Sequence, residues 1–150
     1  MKLSSVTVFA TTLALSMSCS CVFRTPEEAY DDAQWVSRAL VLSKRQQNMT
    51  DFVWRIIYTV RYITVFKNVK GSRPLCPQIW TAPDTAACGV PFLEPGKQYL
   101  LAGSFDDDSK PTINLCTPLI GPWNASDWEN LPKQIKTKLG SGTAGRKSQC

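Results

Sequence analysis

The chain has 150 residues, a net charge of +5, six cysteines and no histidine, with 43% hydrophobic and 19% charged residues. That length suits one ordinary domain, or a domain with a tail, and the balance is that of a folding chain. The missing histidine excludes a Ser-His-Asp triad, a Cys-His dyad and any histidine-ligated metal, leaving only carboxylates for an enzyme to work with.

In chain order, the first element is an export signal. Met1-Lys2 starts positive, and Val6 to Leu15 is an apolar run too short to span a bilayer. Ser16 and Ser18 flank Met17 in the small-x-small pattern of a signal-peptidase site, which makes residues 1–18 a secretory signal peptide and Cys19 the mature terminus. A cut after Ser16 satisfies the same pattern and would leave Met17-Ser18 ahead of Cys19. A lipoprotein signal would also expose a cysteine, but its usual Leu three residues earlier is Ser16 here. No later segment is apolar enough for a membrane anchor, so the expectation is a secreted, extracellular protein. Loss of Lys2 with the leader takes the charge from +5 to +4. The basic residues are scattered, only Lys133, Lys136 and Lys138 lying close together, and no nucleic-acid partner is expected.

Thr25-Pro26-Glu27-Glu28 is a helix start, with a capping hydroxyl, Pro in the first turn and Glu three residues after the cap; it predicts a short helix through about Ala33. Trp35 to Leu42 is rich in β-formers and predicts a strand, followed by a polar loop from Ser43 to Asp51. Phe52 to Phe66 predicts a long strand with Phe52, Trp54, Ile56, Tyr58, Val60, Tyr62, Thr64 and Phe66 on one face. A strand of that length must coil and bend, as in small barrels. Shorter strands are predicted at Gln78 to Thr81, Gln98 to Phe105 and Pro111 to Leu115, with turns at Pro95-Gly96 and at Asp106-Asp107-Asp108-Ser109. The aspartate run lacks the Gly and terminal Glu of a calcium loop and reads as a solvated hairpin tip. Ser126-Asp127-Trp128-Glu129 repeats the capping pattern and predicts a helix to Leu139, divided at Pro132 and ended by Gly140, before a Gly/Ser/Lys-rich flexible tail over residues 140–150. Five strands with flanking helices predict an all-β fold, a small closed five-stranded β-barrel of the OB type.

Cys19, Cys21, Cys76, Cys88, Cys116 and Cys150 form an even set in a small exported chain and predict three disulfides, whose pairing spacing alone does not choose. Cys19 and Cys21 are too close to bond one another without strain, so each reaches a different distant partner and the terminus is bolted twice. Asn48-Met49-Thr50 and Asn124-Ala125-Ser126 are acceptor sites for N-glycans at Asn48 and Asn124. The α-amino nitrogen of Cys19 and its own carbonyl oxygen make a bidentate pair that closes a five-membered ring on a metal ion. An α-amine with a pKa of about 7.7–8.0 is partly neutral near pH 7, and a catalytic zinc keeps one position open for it. The plainer reading of such a cysteine is a disulfide partner and nothing more.

Several fragments in order then carry a resemblance: Cys19-Ser20-Cys21 directly after the signal, Val36-Ser37-Arg38-Ala39, Tyr58-Thr59-Val60, Ala87-Cys88-Gly89, Tyr99-Leu100-Leu101-Ala102-Gly103, Leu115-Cys116 and Gly121-Pro122-Trp123-Asn124. From Cys19 to Leu139 the chain resembles the inhibitory domain of the tissue inhibitors of metalloproteinases, within the netrin-like modules. The resemblance implies a five-stranded OB-type barrel and Cys19–Cys88 and Cys21–Cys116 disulfides. It implies that Cys19 chelates the zinc of a target protease through its amino nitrogen and carbonyl oxygen, while Ser20 enters the primary specificity pocket. Cys21 and Val22 would continue along the cleft, and Thr85, Ala86, Ala87 and Cys88 would line its other side. The zinc belongs to the target, so the chain, a monomer, needs no cofactor of its own; its partners would be matrix metalloproteinases, with extracellular matrix as a further one.

Two features depart from the family. The stretch Thr25 to Ala33 lacks a cysteine that the family carries there, which leaves Cys76 and Cys150 to pair, or Cys150 to stay free or bridge two molecules. The disulfide-rich C-terminal domain of the family is also missing from this sequence, so contacts made by that domain are not expected. The competing function is a non-inhibitory netrin-like module that docks a matrix or signalling partner. An enzyme would need Asp31-Asp32 or the triple Asp as its acid and base, and both read better as helix-end and turn residues.

Overall fold

The computed structural model describes residues 19–50, 53–71, 73–117, 126–140 and 142–145. Its first helix, α1 (Pro26–Asp32), begins where the capping pattern predicts. Thr25 Oγ1 accepts from the Glu28 N–H at 3.2 Å, and the Glu28 carboxylate accepts from the Thr25 N–H at 2.8 Å. Two otherwise orphaned donors are thereby satisfied.

Two long antiparallel strands follow, β1 (Trp35–Thr50) and β2 (Val53–Asn68). The segment expected as a polar loop, from Ser43, is the outer half of β1. Ser43 to Gln46 lie mostly exposed beside Ile56 to Thr59, which also pair with β3, and beyond them Gln47–Thr50 and Val53–Arg55 extend as a two-stranded arm. On β2 the alternation holds from Ile56 through Tyr58 and Val60 to Tyr62, all in the inner cluster. It then slips: Ala39 pairs with Tyr62 but Ser37 with Val65, so Val65 packs inward and Phe66 packs on the outer cluster. The single face predicted from Phe52 to Phe66 is therefore broken by a bulge, the usual device for bending a long strand.

The sheet closes on itself. β2 pairs with β3 (Gln78–Thr81), β3 runs parallel to β5 (Pro111–Thr112), β5 pairs with β4 (Gln98–Phe105), and β4 returns to β1 from Trp35↔Gly103 to Leu40↔Gln98. This five-strand ring, with its strand order and one parallel contact, has the OB-type connectivity expected. β5 is shorter than predicted, stopping at Thr112. Inside the ring Trp35 is fully buried, its Nε1–H donating to the Ser104 carbonyl at 2.9 Å and its ring edge-on to Tyr62. Truncation of such a side chain costs about 3–5 kcal/mol.

The opposite parity of the same strands, Val36, Leu100 and Ala102, meets Ala29 and Ala33 of the α1 segment and Leu131. The second capping pattern does not start a helix. Ser126–Asp127 is a short strand, β6, on β4, and the Trp128 N–H donates to the Gln98 carbonyl at 2.8 Å. The helix, α2 (Lys133–Leu139), begins after Pro132 and ends at Gly140. Within the segment expected to be a flexible tail, Thr143–Ala144 forms β7 on the outer edge of β2, opposite Thr64 and Val65. The chain lies against β2 so closely that a Cβ on Gly145 would sit 2.0 Å from the Tyr62 carbonyl oxygen.

A disulfide-pinned ridge

Cys19 is half-buried against the inner cluster, and the residues from Ser20 to Arg24 are exposed. Cys19 is bonded to Cys88 and Cys21 to Cys116, the two pairs the resemblance implies, each with Cα atoms 5.1 Å apart. The two bridges stack: Cys19 Sγ lies 4.0 Å from that of Cys21 and 3.9 Å from that of Cys116, and Cys116 Sγ lies 4.0 Å from that of Cys88. Cys19, Cys21 and Cys116 are spaced like metal ligands. Each sulfur is spent in a disulfide, so no thiolate is offered. The far end of the segment is held as well, by an ion pair from Arg24 to Asp32 of α1.

The partner segment leaves β3 at Thr81 and turns sharply. Asp84 Oδ1 accepts from the Ala87 N–H at 2.8 Å, the Asp84 carbonyl accepts from the Gly89 N–H at 2.8 Å, and the Thr85 carbonyl accepts from the Cys88 N–H at 3.1 Å. Thr81 Oγ1 closes the turn by accepting from the Val90 N–H at 2.9 Å. The turn requires glycine at position 89, where a Cβ would lie 2.2 Å from the Ala82 carbonyl oxygen. Cys88 itself is left-handed, with φ 58°, and its carbonyl accepts from the Leu115 N–H at 2.9 Å. Such a conformation in a non-glycine residue persists only where its surroundings enforce it, here a disulfide and a ladder of hydrogen bonds.

The two segments meet at one backbone bond, from the Cys19 nitrogen to the Ala86 carbonyl oxygen at 3.0 Å. Thr85, Ala86 and Ala87 are exposed beside it, with Cys88 half-buried beneath. The result is a double-stranded ridge: Cys19 to Phe23 on one side and Asp84 to Cys88 on the other. Val22 and Phe23 are 79% and 91% exposed, an unusual setting for apolar side chains. Below the ridge, the buried Tyr58 hydroxyl donates to the Val90 carbonyl at 2.8 Å and accepts from the Leu93 N–H at 3.3 Å, and burial pushes its pKa up to about 12. Tyr62 donates to the Cys76 carbonyl at 2.8 Å, and burial raises its pKa too.

The other candidates lie elsewhere. Asn48 is exposed on the arm, opposite Trp54. Asn124 and Cys150 lie outside the described residues, so the Cys76–Cys150 pairing does as well, although Cys76 is disulfide-bonded. Asp31 and Asp32 close α1, and Asp106 to Asp108 form the β4–β5 turn, with Asp108 paired to Lys110 at 2.8 Å. Spacing arguments passed over Asp84, Thr81 and Tyr58, which shape the ridge from behind. The turn at Asp84 was not among the predicted turns, and nothing in the sequence said where its hydrogen bonds would go.

Fold and ridge together define a disulfide-braced module of OB-type connectivity, with the exposed segment after Cys19 bolted beside the Asp84 turn. Residues 17–138 match the family described as Tissue inhibitor of metalloproteinase. Metalloproteinase inhibitor 2 of Homo sapiens is 33% identical over 123 residues, covering 78% of this chain and 54% of the human protein. The protein of the same name in Gallus gallus is 34% identical over 139 residues, covering 89% of this chain and 61% of its own length. A Caenorhabditis elegans protein, tag-225, is 25% identical over 150 residues, 91% of this chain and 94% of that protein. The chain belongs to the family of tissue inhibitors of metalloproteinases. It spans about half the length of the vertebrate relatives it matches. Among the described residues no helix is long and apolar enough to cross a membrane.

Proposed function

We propose that this protein is a secreted inhibitor of zinc metalloproteinases, acting as a monomer whose amino-terminal ridge fills the active-site cleft of its target. Removal of residues 1–18 turns the Cys19 nitrogen from an amide, which is no metal ligand, into an amine. The neutral amine has two N–H bonds and one lone pair. One N–H satisfies the Ala86 carbonyl, and the lone pair, with the Cys19 carbonyl oxygen, remains for the zinc of the protease. Occupying the open position of that zinc displaces the water that the enzyme would activate.

Around this contact Ser20 points into the primary specificity pocket, Cys21 and Val22 follow the cleft as a bound peptide would, and Thr85 to Cys88 line the other side. The observation that carries the reading is the Cys19–Ala86 bond beside the Cys19–Cys88 disulfide, which hold two exposed segments in one fixed arrangement. A terminus already ordered loses little entropy on docking.

The test is a titration of a matrix metalloproteinase catalytic domain with secreted protein whose intact mass confirms a start at Cys19. Stoichiometric inhibition is expected, and it is lost when an Ala precedes Cys19. Absence of inhibition across several metalloproteinases, despite the correct terminus, would overturn the reading in favour of a docking module that uses the surface of the ring.

A further inference from the structure

We infer that Asp84 is a positioning residue for inhibition, setting the direction of the Cys19 amine through the backbone of its own turn; this rests on the reading of Cys19 as the zinc-binding terminus. The chain of contacts is continuous. Asp84 holds residues 84–89 in one turn with its side chain, on the Ala87 N–H at 2.8 Å, and with its carbonyl, on the Gly89 N–H at 2.8 Å. Inside the span that the Asp84–Ala87 bond closes lies Ala86, whose carbonyl accepts from the Cys19 nitrogen, 3.0 Å away. The disulfide fixes where Cys19 is, but rotation about its backbone still decides where the amine lone pair points. The Ala86 carbonyl removes that freedom by accepting one N–H. Asp84 is exposed, and its side chain accepts from the Ala87 N–H within its own turn.

With the side chain cut back, the Ala87 N–H loses its acceptor and the turn samples other conformers. The arrangement that binds is then a fraction of the population, and apparent affinity falls by that fraction. A hydrogen bond from a backbone N–H to a carboxylate corresponds to about a tenfold change.

The experiment compares wild type, Asp84→Ala and Asp84→Asn, each confirmed to start at Cys19, by inhibition constant, association and dissociation rates, thermal midpoint, and amide hydrogen exchange at Ala87 and Gly89. Asp84→Ala is expected to weaken inhibition about tenfold, chiefly by slowing association, with faster exchange at Ala87 and a fall in midpoint of no more than a few degrees. Asp84→Asn, which keeps an oxygen acceptor at the same place, is expected to restore the exchange protection and most of the inhibition. Unchanged inhibition in Asp84→Ala overturns the inference, as does equal loss in both variants, which would assign the effect to charge. A loss that only tracks a fall in thermal midpoint overturns it too. A wild type that inhibits nothing refutes the function itself, whereas Ala87 exchange still reports on the turn.

Discussion

Tyr58→Phe isolates the hydroxyl beneath the ridge. The ring is fully buried and Phe preserves its shape, so the change removes one oxygen and two hydrogen bonds, to the Val90 carbonyl at 2.8 Å and from the Leu93 N–H at 3.3 Å. Both backbone groups are then left buried and unpaired. At about 1–3 kcal/mol each, with the longer bond at the weak end, the expected loss is about 2–4 kcal/mol. For a chain of this size that is a fall in thermal midpoint of roughly 5–10 °C. Urea denaturation with disulfides intact measures it, and the slope against denaturant should not change. Tyr99→Phe is the control, since its hydroxyl accepts one bond, from the Glu94 N–H at 3.1 Å in a partly buried site, and should cost clearly less. The same variant has a signature in alkali. The native Tyr58 holds its proton to about 12 against an ordinary 10, so between those values the native state binds more protons than the unfolded one and stability falls as pH rises. Tyr58→Phe should lessen that fall without abolishing it, because Tyr62 has a pKa raised in the same direction. A loss below about 0.5 kcal/mol, or a larger loss in Tyr99→Phe, would refute the assignment of Tyr58 as the support of the segment behind the ridge.

Replacing Cys21 and Cys116 together by serine opens a link across a sequence separation of 95 residues and is expected to cost about 4–5 kcal/mol at most on the chain-entropy account, read from urea midpoints with the other bridges intact. The capping box of α1 carries an acid dependence. The Glu28 carboxylate is held below its ordinary 4.5 by the Thr25 backbone N–H first and by the Thr25 hydroxyl next. Its folded value being depressed, the contribution is present above the unfolded value and is lost as pH falls through the folded one. The protection factor of the Ala29 amide, taken against the intrinsic rate at each pH, should therefore fall on acidification in the wild type, and Glu28→Gln should remove that dependence.

The inner strands were legible because they obey period two and end at turn residues: β3 and β4 start and stop where Pro, Gly and the aspartate run say they should. The outer half of β1 was not, since a strand held by its neighbour alone, with no face in a core, carries no hydrophobic alternation to read. Ser126-Asp127-Trp128-Glu129 shows the opposite failure. Its local pattern is that of a helix cap, but the Trp128 N–H has a better partner in the Gln98 carbonyl, and tertiary contact overrides the local preference. At the ridge, Cys19-Ser20-Cys21 announced a bolted terminus from chemistry alone, and the resemblance supplied its partners. The turn behind it stayed hidden because the hydrogen bonds that Asp84 accepts from the Ala87 and Gly89 N–H groups leave no trace in residue spacing.

β7 has a consequence for how this protein tolerates its own company. Beyond the reach of β3, the outer edge of β2 would present bare N–H and C=O groups to any passing strand, the commonest seed of chain-to-chain zippering in β proteins. Two residues, Thr143 and Ala144, lie along that edge, and the Gly145 N–H adds a bond to the Ile63 carbonyl at 3.2 Å. Glycine at position 145 allows the approach, because any side chain there would strike the Tyr62 backbone. The ring removes edges where it closes, and along Thr64 and Val65 a short segment from later in the chain covers an edge that the ring leaves open.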